Sequence, residues 1–338
     1  MAAYAIEPIG PHRNNLGELI DEMEEASRLH GDKRQSEATV NKWKTLVSDG
    51  TGFALLDGSR CIGLLLYSAE YDLRFSSFLS ASSAKKLPKS ATVYACHVLK
   101  RAREEPGSGE RLLLQSAISR LRTIKSIETI AVQIQSLYGF NPGKTLSDLG
   151  FLSCSRARMQ CNLTNQIPRE SIPPGSTIES PDLQDADDLR SVIYHAYFSD
   201  IDGYLFPDIE AVCSQRPLFR EFLTSNSVER TASVIAKTDD YPCGCVLVLS
   251  DEDKRLGLIG VVAVIPALRR RGIARAMLLR VMHRLKKHDH DRAALAVTIE
   301  NRPAHKLYIS LGFAEIGPRK AIAVWRRSAA RPRINRKH

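Results

Sequence analysis

The chain has 338 residues, 43% hydrophobic and 25% charged, with a formal net charge of +10. That balance excludes wholesale disorder, a collagen repeat and a coiled-coil array, and no apolar run approaches the ~20 residues needed to span a bilayer. The length suits about two domains of ~150 residues. Seven scattered cysteines, an odd number, argue against a disulfide framework. Met1 to Gly10 lacks the basic-then-apolar pattern of a signal peptide, so reduced thiols in a cytoplasmic protein are expected.

In chain order, helical material precedes a strand at Gly52 to Leu56 and a hairpin partner at Gly63 to Ser68. Ala91 to Leu99 is a continuous apolar run, the mark of a strand buried on both faces. A helix is predicted over Leu112 to Leu121 and a strand over Ile127 to Ile134, and Leu149-Gly150-Phe151 closes the half. The stretch from Asn165 to Ser180, with Pro168, Pro173, Pro174 and Gly175, reads as a linker.

The second half runs through the same order. Strands are predicted at Ser233 to Lys237, Cys245 to Ser250 and, as a buried run, Arg255 to Val264. Ile273, Met277, Val281 and Leu285 then recur at helical spacing. A short strand over Ala294 to Ile299, a short helix around Ala304 to Ile309 and Leu311-Gly312-Phe313 complete it. Setting Gly272 on Gly107 gives an offset of 165 residues, and setting Phe313 on Phe151 gives 162. One element order at one offset predicts a tandem duplication: a domain over 1–165, a linker over 166–180, a second domain over 176–327 and a basic tail over 328–338. From Arg326 onward thirteen residues hold six Lys and Arg and no carboxylate, leaving +4 for the rest. Such a tail could anchor nucleic acid or another polyanion. Pro332, the scarcity of apolar residues and the lack of an aromatic after Trp325 favour a solvated terminus instead.

The chemistry concentrates between Val261 and Arg275. Pro266 cannot donate a ladder hydrogen bond, so the strand is expected to part from a neighbour there and free backbone donors. Arg269, Arg270 and Arg271 follow, and Gly272 opens a helix whose first N–H groups lack partners and carry partial positive charge. Gly272 permits close approach and Ala274 keeps the surface flat. Together these describe a cradle for a pyrophosphate with arginines at its rim, although a triple-arginine run by itself is usually a solvated face. His283, His288 and His290 with Asp289 and Asp291 resemble a metal cluster but fall at the end of the helix, where charged residues meet water, so no metal is expected. Cys243 and Cys245 share one face of a strand and read as packed thiols.

Arg269-x-x-Gly272-x-Ala274 resembles the acetyl-CoA pyrophosphate loop of the GCN5-related N-acetyltransferases. Asn301, Ala304, Leu307-Tyr308 and Leu311-Gly312-Phe313 resemble the helix and strand that follow it in that family. The likeness covers residues 176–327 well and 5–163 faintly. It implies an α/β (α+β) fold of two tandem domains, each a mixed, mostly antiparallel sheet flanked by helices, similar to the architecture of the mycothiol synthases. It also implies an acyltransferase that needs no metal and moves acetyl from acetyl-CoA to a primary amine, small molecule or peptide, by direct attack in a ternary complex. Neither a membrane nor nucleic acid is then an expected partner, and the protein would work as a monomer or homodimer.

Roles follow from the resemblance position by position. The backbone of Val262, Ala263 and Val264 is expected to hold the pantetheine arm and thioester carbonyl. The amides of Arg270, Arg271, Gly272, Ile273, Ala274 and Arg275 would hold the pyrophosphate, with Arg269 beside them, and Asn301 the cofactor arm. Tyr308 would protonate the leaving thiolate. Many members carry a glutamate base on the strand before the asparagine, where this chain has Ala296. The base stays open between Glu300, which could equally cap the surface, a free amine and a water relay. In this family the region matching 198–208 walls the acceptor site, so Asp200 and Asp202 are expected to attract a cationic amine, with Tyr204 and Phe206 against its body. Helix capping by Asp200 or Asp208 over core aromatics is the equal alternative.

The first half departs further. Glu104-x-x-Gly107-x-Gly109, with Glu105 and Glu110, sets carboxylates around the matching turn, where they would repel a pyrophosphate. No tyrosine maps onto Tyr308. A degenerate copy with a structural or substrate-shaping role is expected, the alternative being a pocket that binds without turnover. Two other functions stand beside the enzyme: a non-catalytic acyl-CoA-binding regulator, and a nucleic-acid or ribosome-associated factor using the tail.

Overall fold

The structure, a computed structural model, describes residues 4–10, 16–30, 33–68, 79–84, 87, 89–102, 107–134, 141–198, 200–225, 228–251, 253 and 255–327. Glu104, Glu105 and the tail over 328–338 lie outside the described residues. The first half runs β1 (Tyr4–Pro8), α1 (Gly17–His30), α2 (Lys33–Ser48), β2 (Gly52–Asp57), β3 (Arg60–Ser68), α3 (Ala81–Ala84), β4 (Lys89–Val98), α4 (Ser108–Thr123), β5 (Ile127–Val132), α5 (Gly143–Asp148) and β6 (Leu152–Asn162). The second runs β7 (Ser176–Glu179), α6 (Ala186–Tyr197), α7 (Ile201–Leu205), α8 (Pro207–Ser214), α9 (Arg216–Thr224), β8 (Val234–Thr238), β9 (Tyr241–Leu249), β10 (Leu256–Val264), α10 (Ile273–Lys287), β11 (Arg292–Thr298), α11 (Arg302–Ser310) and β12 (Ala314–Arg326).

These elements pack as two compact units whose limits differ from the sequence halves. One unit comprises residues 1–72, 88–153 and 320–329; the other comprises 73–87, 154–319 and 330–338. Nearly all of β6 therefore belongs to the second unit, and the end of β12 belongs to the first. Residues 166–180, expected from sequence to be a linker, fall within the second unit. The reason is pairing: β6 lies antiparallel on β11 from Arg156 to Asn162, and Ala323–Arg326 of β12 lie antiparallel on β5.

In the first unit β1, β2, β3 and β4 pair antiparallel in turn, and β4 runs parallel to β5. Leu113, Leu114, Ala117, Ile118 and Leu121 of α4 bury one face of this sheet, while Leu19, Met23, Trp43 and Leu46 of α1 and α2 bury the other. Arg327, from the charged end of the chain, is tied down: its guanidinium donates to the carbonyls of Arg122, Ile124 and Ile127.

In the second unit the strand order is β6-β11-β10-β9-β8-β7, with β10 and β11 parallel and the other neighbours antiparallel. The apolar stripe of α10 packs on one face of the sheet. Burying each leucine-sized side chain there contributes about 1.5–3 kcal/mol. Arg284, Lys286 and Lys287 in the last turn complement the negative end of the helix dipole. α6 packs on β9 and β10, with α8 and α9 against it. Among the described residues no helix is long and apolar enough to cross a membrane.

Candidate functional site

The strands β10 and β11 pair only from Leu256↔Arg292 to Leu258↔Ala294. Beyond Leu258 they part, and the ladder of β10 continues on β9 alone, with a register shift between Ile259 and Val261. The separation thus begins well before Pro266, which instead starts a short 3-10 turn. Divergence of two parallel strands, rather than the proline, opens the sheet. A cavity of about 1130 Å³ fills the gap.

At one end of the cavity lies the entry to α10. Gly272 is its N-cap, held at φ 86°, and Arg270 two residues earlier is at φ 66°. The first intrahelical bond runs from Ala276 N–H to the Gly272 carbonyl, 3.0 Å, so the amides of Ile273, Ala274 and Arg275 are ones the helix itself cannot satisfy. Gly272, Ile273, Ala274 and Arg275 all line the cavity. Amides at a helix start carry partial positive charge, which is favourable to an anion.

The arginines divide. Arg269, Arg270 and Arg275 line the cavity, and Arg271 is exposed outside its lining. Arg269 is also a brace. Its guanidinium donates to the carbonyls of Val264 at 3.1 Å and Ala196 at 2.7 Å, and it pairs with Asp200 at 3.4 Å. Of the β10 trio, Val262 and Val264 line the cavity, whereas Ala263 is buried away from it. The Val264 carbonyl is already engaged by Arg269.

Across the cavity stand β11 and α11. Tyr308 lines the cavity from a buried position, its ring 6.1 Å from that of Phe313. Asn301 also lines it and caps α11, accepting from Ala304 N–H at 3.4 Å. Its amide donates to Asp202 at 3.1 Å.

The remaining wall is the junction of α6 and α7. Gly203 makes it possible: a Cβ there would lie 1.9 Å from the Tyr197 carbonyl oxygen, so only glycine lets α7 abut the end of α6. Asp200 caps α7 through Ile201 N–H at 2.7 Å. Burial and then the neighbouring Asp202 charge push its carboxyl above the ordinary value, with Arg269 opposing. Asp202 is a hub, accepting from the Thr298 hydroxyl at 2.5 Å and facing Arg156 at 3.6 Å besides its bond to Asn301. Both aspartates line the cavity, but each is engaged by the protein. Tyr204 and Phe206 do not line it. They are buried, and Phe206 lies under the Arg156 guanidinium at 4.5 Å, so the aromatic wall expected for an acceptor is core.

The strand β6 supplies residues that the motif reading passed over. Arg156 braces Asp202, and Ser155 N–H donates to both oxygens of Glu300 at 3.1 and 3.2 Å. Cys154 is buried beside them; desolvation, then the charges of Glu300 and Asp202, push its thiol up to about 12. The alternation of Ala157, Met159, Cys161 and Leu163 is the signal that marks this strand in the sequence. Elsewhere, His283 faces the Pro168 carbonyl and Asp291 pairs with Arg255, so members of the suspected metal group have protein partners.

The corresponding turn of the first unit repeats the backbone of the second. Gly107 is at φ 81° and Arg111 N–H bonds its carbonyl at 3.0 Å. In place of cavity-lining Arg275, however, the matching residue is Glu110, which is 1% exposed.

Residues 195–313 match the sequence model of the acetyltransferase (GNAT) family. The matched stretch lies within the second unit and includes the parted strands and the glycine-started helix. The chain shares the fold of a GCN5-related N-acetyltransferase from Sphaerobacter thermophilus, at 17% identity over 96% of this chain and 95% of that one, with a TM-score of 0.58. A tandem GNAT protein from the clavulanic acid biosynthesis pathway, described without AcCoA, is similar at 14% identity over 97% and 99% of the two chains, with a TM-score of 0.47. None of the curated proteins matches the chain. The GNAT fold supports acyltransferase activity.

Proposed function

We propose that the second unit transfers an acetyl group from acetyl-CoA to a primary amine, small molecule or peptide, by direct attack within a ternary complex. The observation that carries this reading is the joining of two features in one cavity: the free amides of Ile273, Ala274 and Arg275 at one end and the Tyr308 side chain on the wall beyond. The amides suit a diphosphate, and the edge of β10 past Leu258 suits an extended amide-bearing arm that adds to it like a strand. A phenol titrates at about 10, so it keeps its proton at neutral pH yet can give it to a departing thiolate. Cys154, the thiol beside this wall, is held protonated by burial and by its acidic neighbours. A thiol in that state is a poor nucleophile, which favours direct transfer over a cysteine-bound intermediate.

The first unit serves as scaffold in this reading, because the carboxyl of Glu110 is buried in the turn where the second unit presents Arg275. The buried free cysteines fit a cytoplasmic setting. Calorimetry with acetyl-CoA, followed by thiol release across an amine panel, tests the function. Heat of binding and amine-dependent release are expected. No heat overturns the cofactor assignment, and heat without release for any amine leaves a non-catalytic binder.

A further inference from the structure

The ladder between β6 and β11 sorts its side chains between two faces. Ala157, Met159 and Cys161 pair with Val297, Leu295 and Ala293, and all of them belong to the core under α10. The alternate residues face the other way, because successive side chains of a strand point to opposite sides of the sheet. Thr298 and Arg156, one such cross-strand pair, meet Asp202 of α7 at 2.5 and 3.6 Å, so this second face looks toward α7. The next pair along it is Ala296 with Arg158, followed by Ala294 with Gln160 and Arg292 with Asn162. The face thus carries three arginines. Arg156 is matched to Asp202, and Arg292 to Asp253 at 2.7 Å. Arg158, between them, is exposed and has no acid within 4.0 Å among the described residues. Directly opposed residues of an antiparallel pair bring their Cβ atoms to about 5 Å. The partner here, Ala296, is small and lines the cavity, just past the point where β10 and β11 part. An uncompensated guanidinium is therefore rooted beside the cavity.

We propose that Arg158 sets the choice of acceptor by receiving a carboxylate, so that the preferred acceptor is an amino acid, a primary amine with a carboxylate at its other end. The inference rests on the acetyltransferase reading above and names the substrate class for that site. A guanidinium offers a planar fork of N–H donors that matches a carboxylate with two parallel hydrogen bonds. One guanidinium balances one carboxylate charge. A phosphate dianion in the same place would keep a charge in excess, in a cavity whose lining already includes Asp202 and Glu300. Arg156, on the same strand and face, cannot take this role, because Asp202 holds its guanidinium and its plane lies over Phe206. Ala296 leaves the way open, since a longer side chain there would stand between Arg158 and the cavity. With the carboxylate held at β6, the amine end of the acceptor is left for the cavity, where Tyr308 also lies.

The test uses the full chain as wild type, Arg158→Gln and Arg158→Lys. The acceptor probes are glycine, 4-aminobutyrate and 6-aminohexanoate, each beside its primary amide, which removes the negative charge and keeps the chain. Thiol release with acetyl-CoA gives kcat/KM for each probe, and comparing the acid-to-amide ratio between proteins cancels the intrinsic reactivity of the amine. Arg158→Gln is expected to lower that ratio about 10- to 100-fold for the acids that the wild type acetylates, the loss of a charged, two-pronged hydrogen bond. Arg158→Lys keeps the charge without the fork and falls between, and it supplies the comparison should Arg158→Gln not fold. Calorimetry should give both variants the acetyl-CoA affinity of the wild type. An unchanged ratio makes Arg158 a solvated surface charge and overturns the proposal, as does a wild-type protein that binds acetyl-CoA and acetylates none of the acids. Turnover of 2-aminoethyl phosphate faster than of any acid, lost in Arg158→Gln, overturns the carboxylate in favour of a phosphate. If the wild-type protein gives no heat with acetyl-CoA, the acetyltransferase reading fails and this inference with it.

Discussion

Arg156 and Asp202 face each other at 3.6 Å with only 15% and 14% of their side chains exposed, and the same carboxylate takes the Thr298 hydroxyl at 2.5 Å. The pair ties β6 to α7 beneath the cavity wall. Asp202→Asn removes the counter-ion of a largely buried guanidinium and one acceptor of the hub. It is expected to cost about 2 kcal/mol of stability and to loosen Asn301, lowering kcat with little change in acetyl-CoA affinity. Urea unfolding and calorimetry on the variant check both parts.

Gly272 and Gly107 provide a matched pair of substitutions. Each sits in the left-handed region, at φ 86° and 81°, so alanine at either place costs about 1–2 kcal/mol. A Cβ on Gly272 meets nothing nearer than Pro173 at 3.8 Å, so the cost there is conformational rather than steric. Gly272→Ala is expected to weaken acetyl-CoA binding tenfold or more by disturbing the amides after it. Gly107→Ala should lower Tm similarly and leave that affinity untouched.

Tyr308→Phe keeps the buried ring and its packing on Phe313. Stability and acetyl-CoA affinity should stay at wild-type values while kcat falls about 100-fold, the loss of a general acid. An unchanged kcat would assign the ring to the core alone.

Burial and the Asp202 charge raise the Asp200 carboxyl pKa despite Arg269. A native value above the unfolded one means that ionised Asp200 weakens the fold at neutral pH, an effect absent below the unfolded pKa of about 3.9. Asp200→Asn retains an acceptor for the Ile201 amide. Its Tm should exceed that of the wild type at pH 7, and the gain should vanish as pH falls toward 4. Melting curves across that range decide it.

How far these features could be read from sequence depends on how local their causes are. The buried run of β10, the 3.6-residue stripe of α10 and the glycine between them are short-range patterns, and each lies where the pattern places it. The partners of charged side chains are not short-range. The run Arg269-Arg270-Arg271 reads as three rim cations, yet Arg269 reaches back to Val264 and Ala196 because the turn folds it over the end of β10. Asp200 and Asp202 read as a lure for a cation, and tertiary contacts engage both. Ser155, Arg156 and Glu300 are distant in sequence, so a motif search confined to one half does not bring them together.

The pairing of β12 with β5 has a bearing on how the protein is made. A nascent chain with its first 153 residues outside the ribosome holds the helices and strands β1 to β5 of the first unit but not the strand that covers β5. Ala323, Val324 and Trp325, the last with its ring 4.6 Å from Arg122, arrive only after β6 to β11 have been made. The unit begun earlier is therefore completed only after the strands of the other have been made, and until then its open edge is a place where a chaperone would be useful.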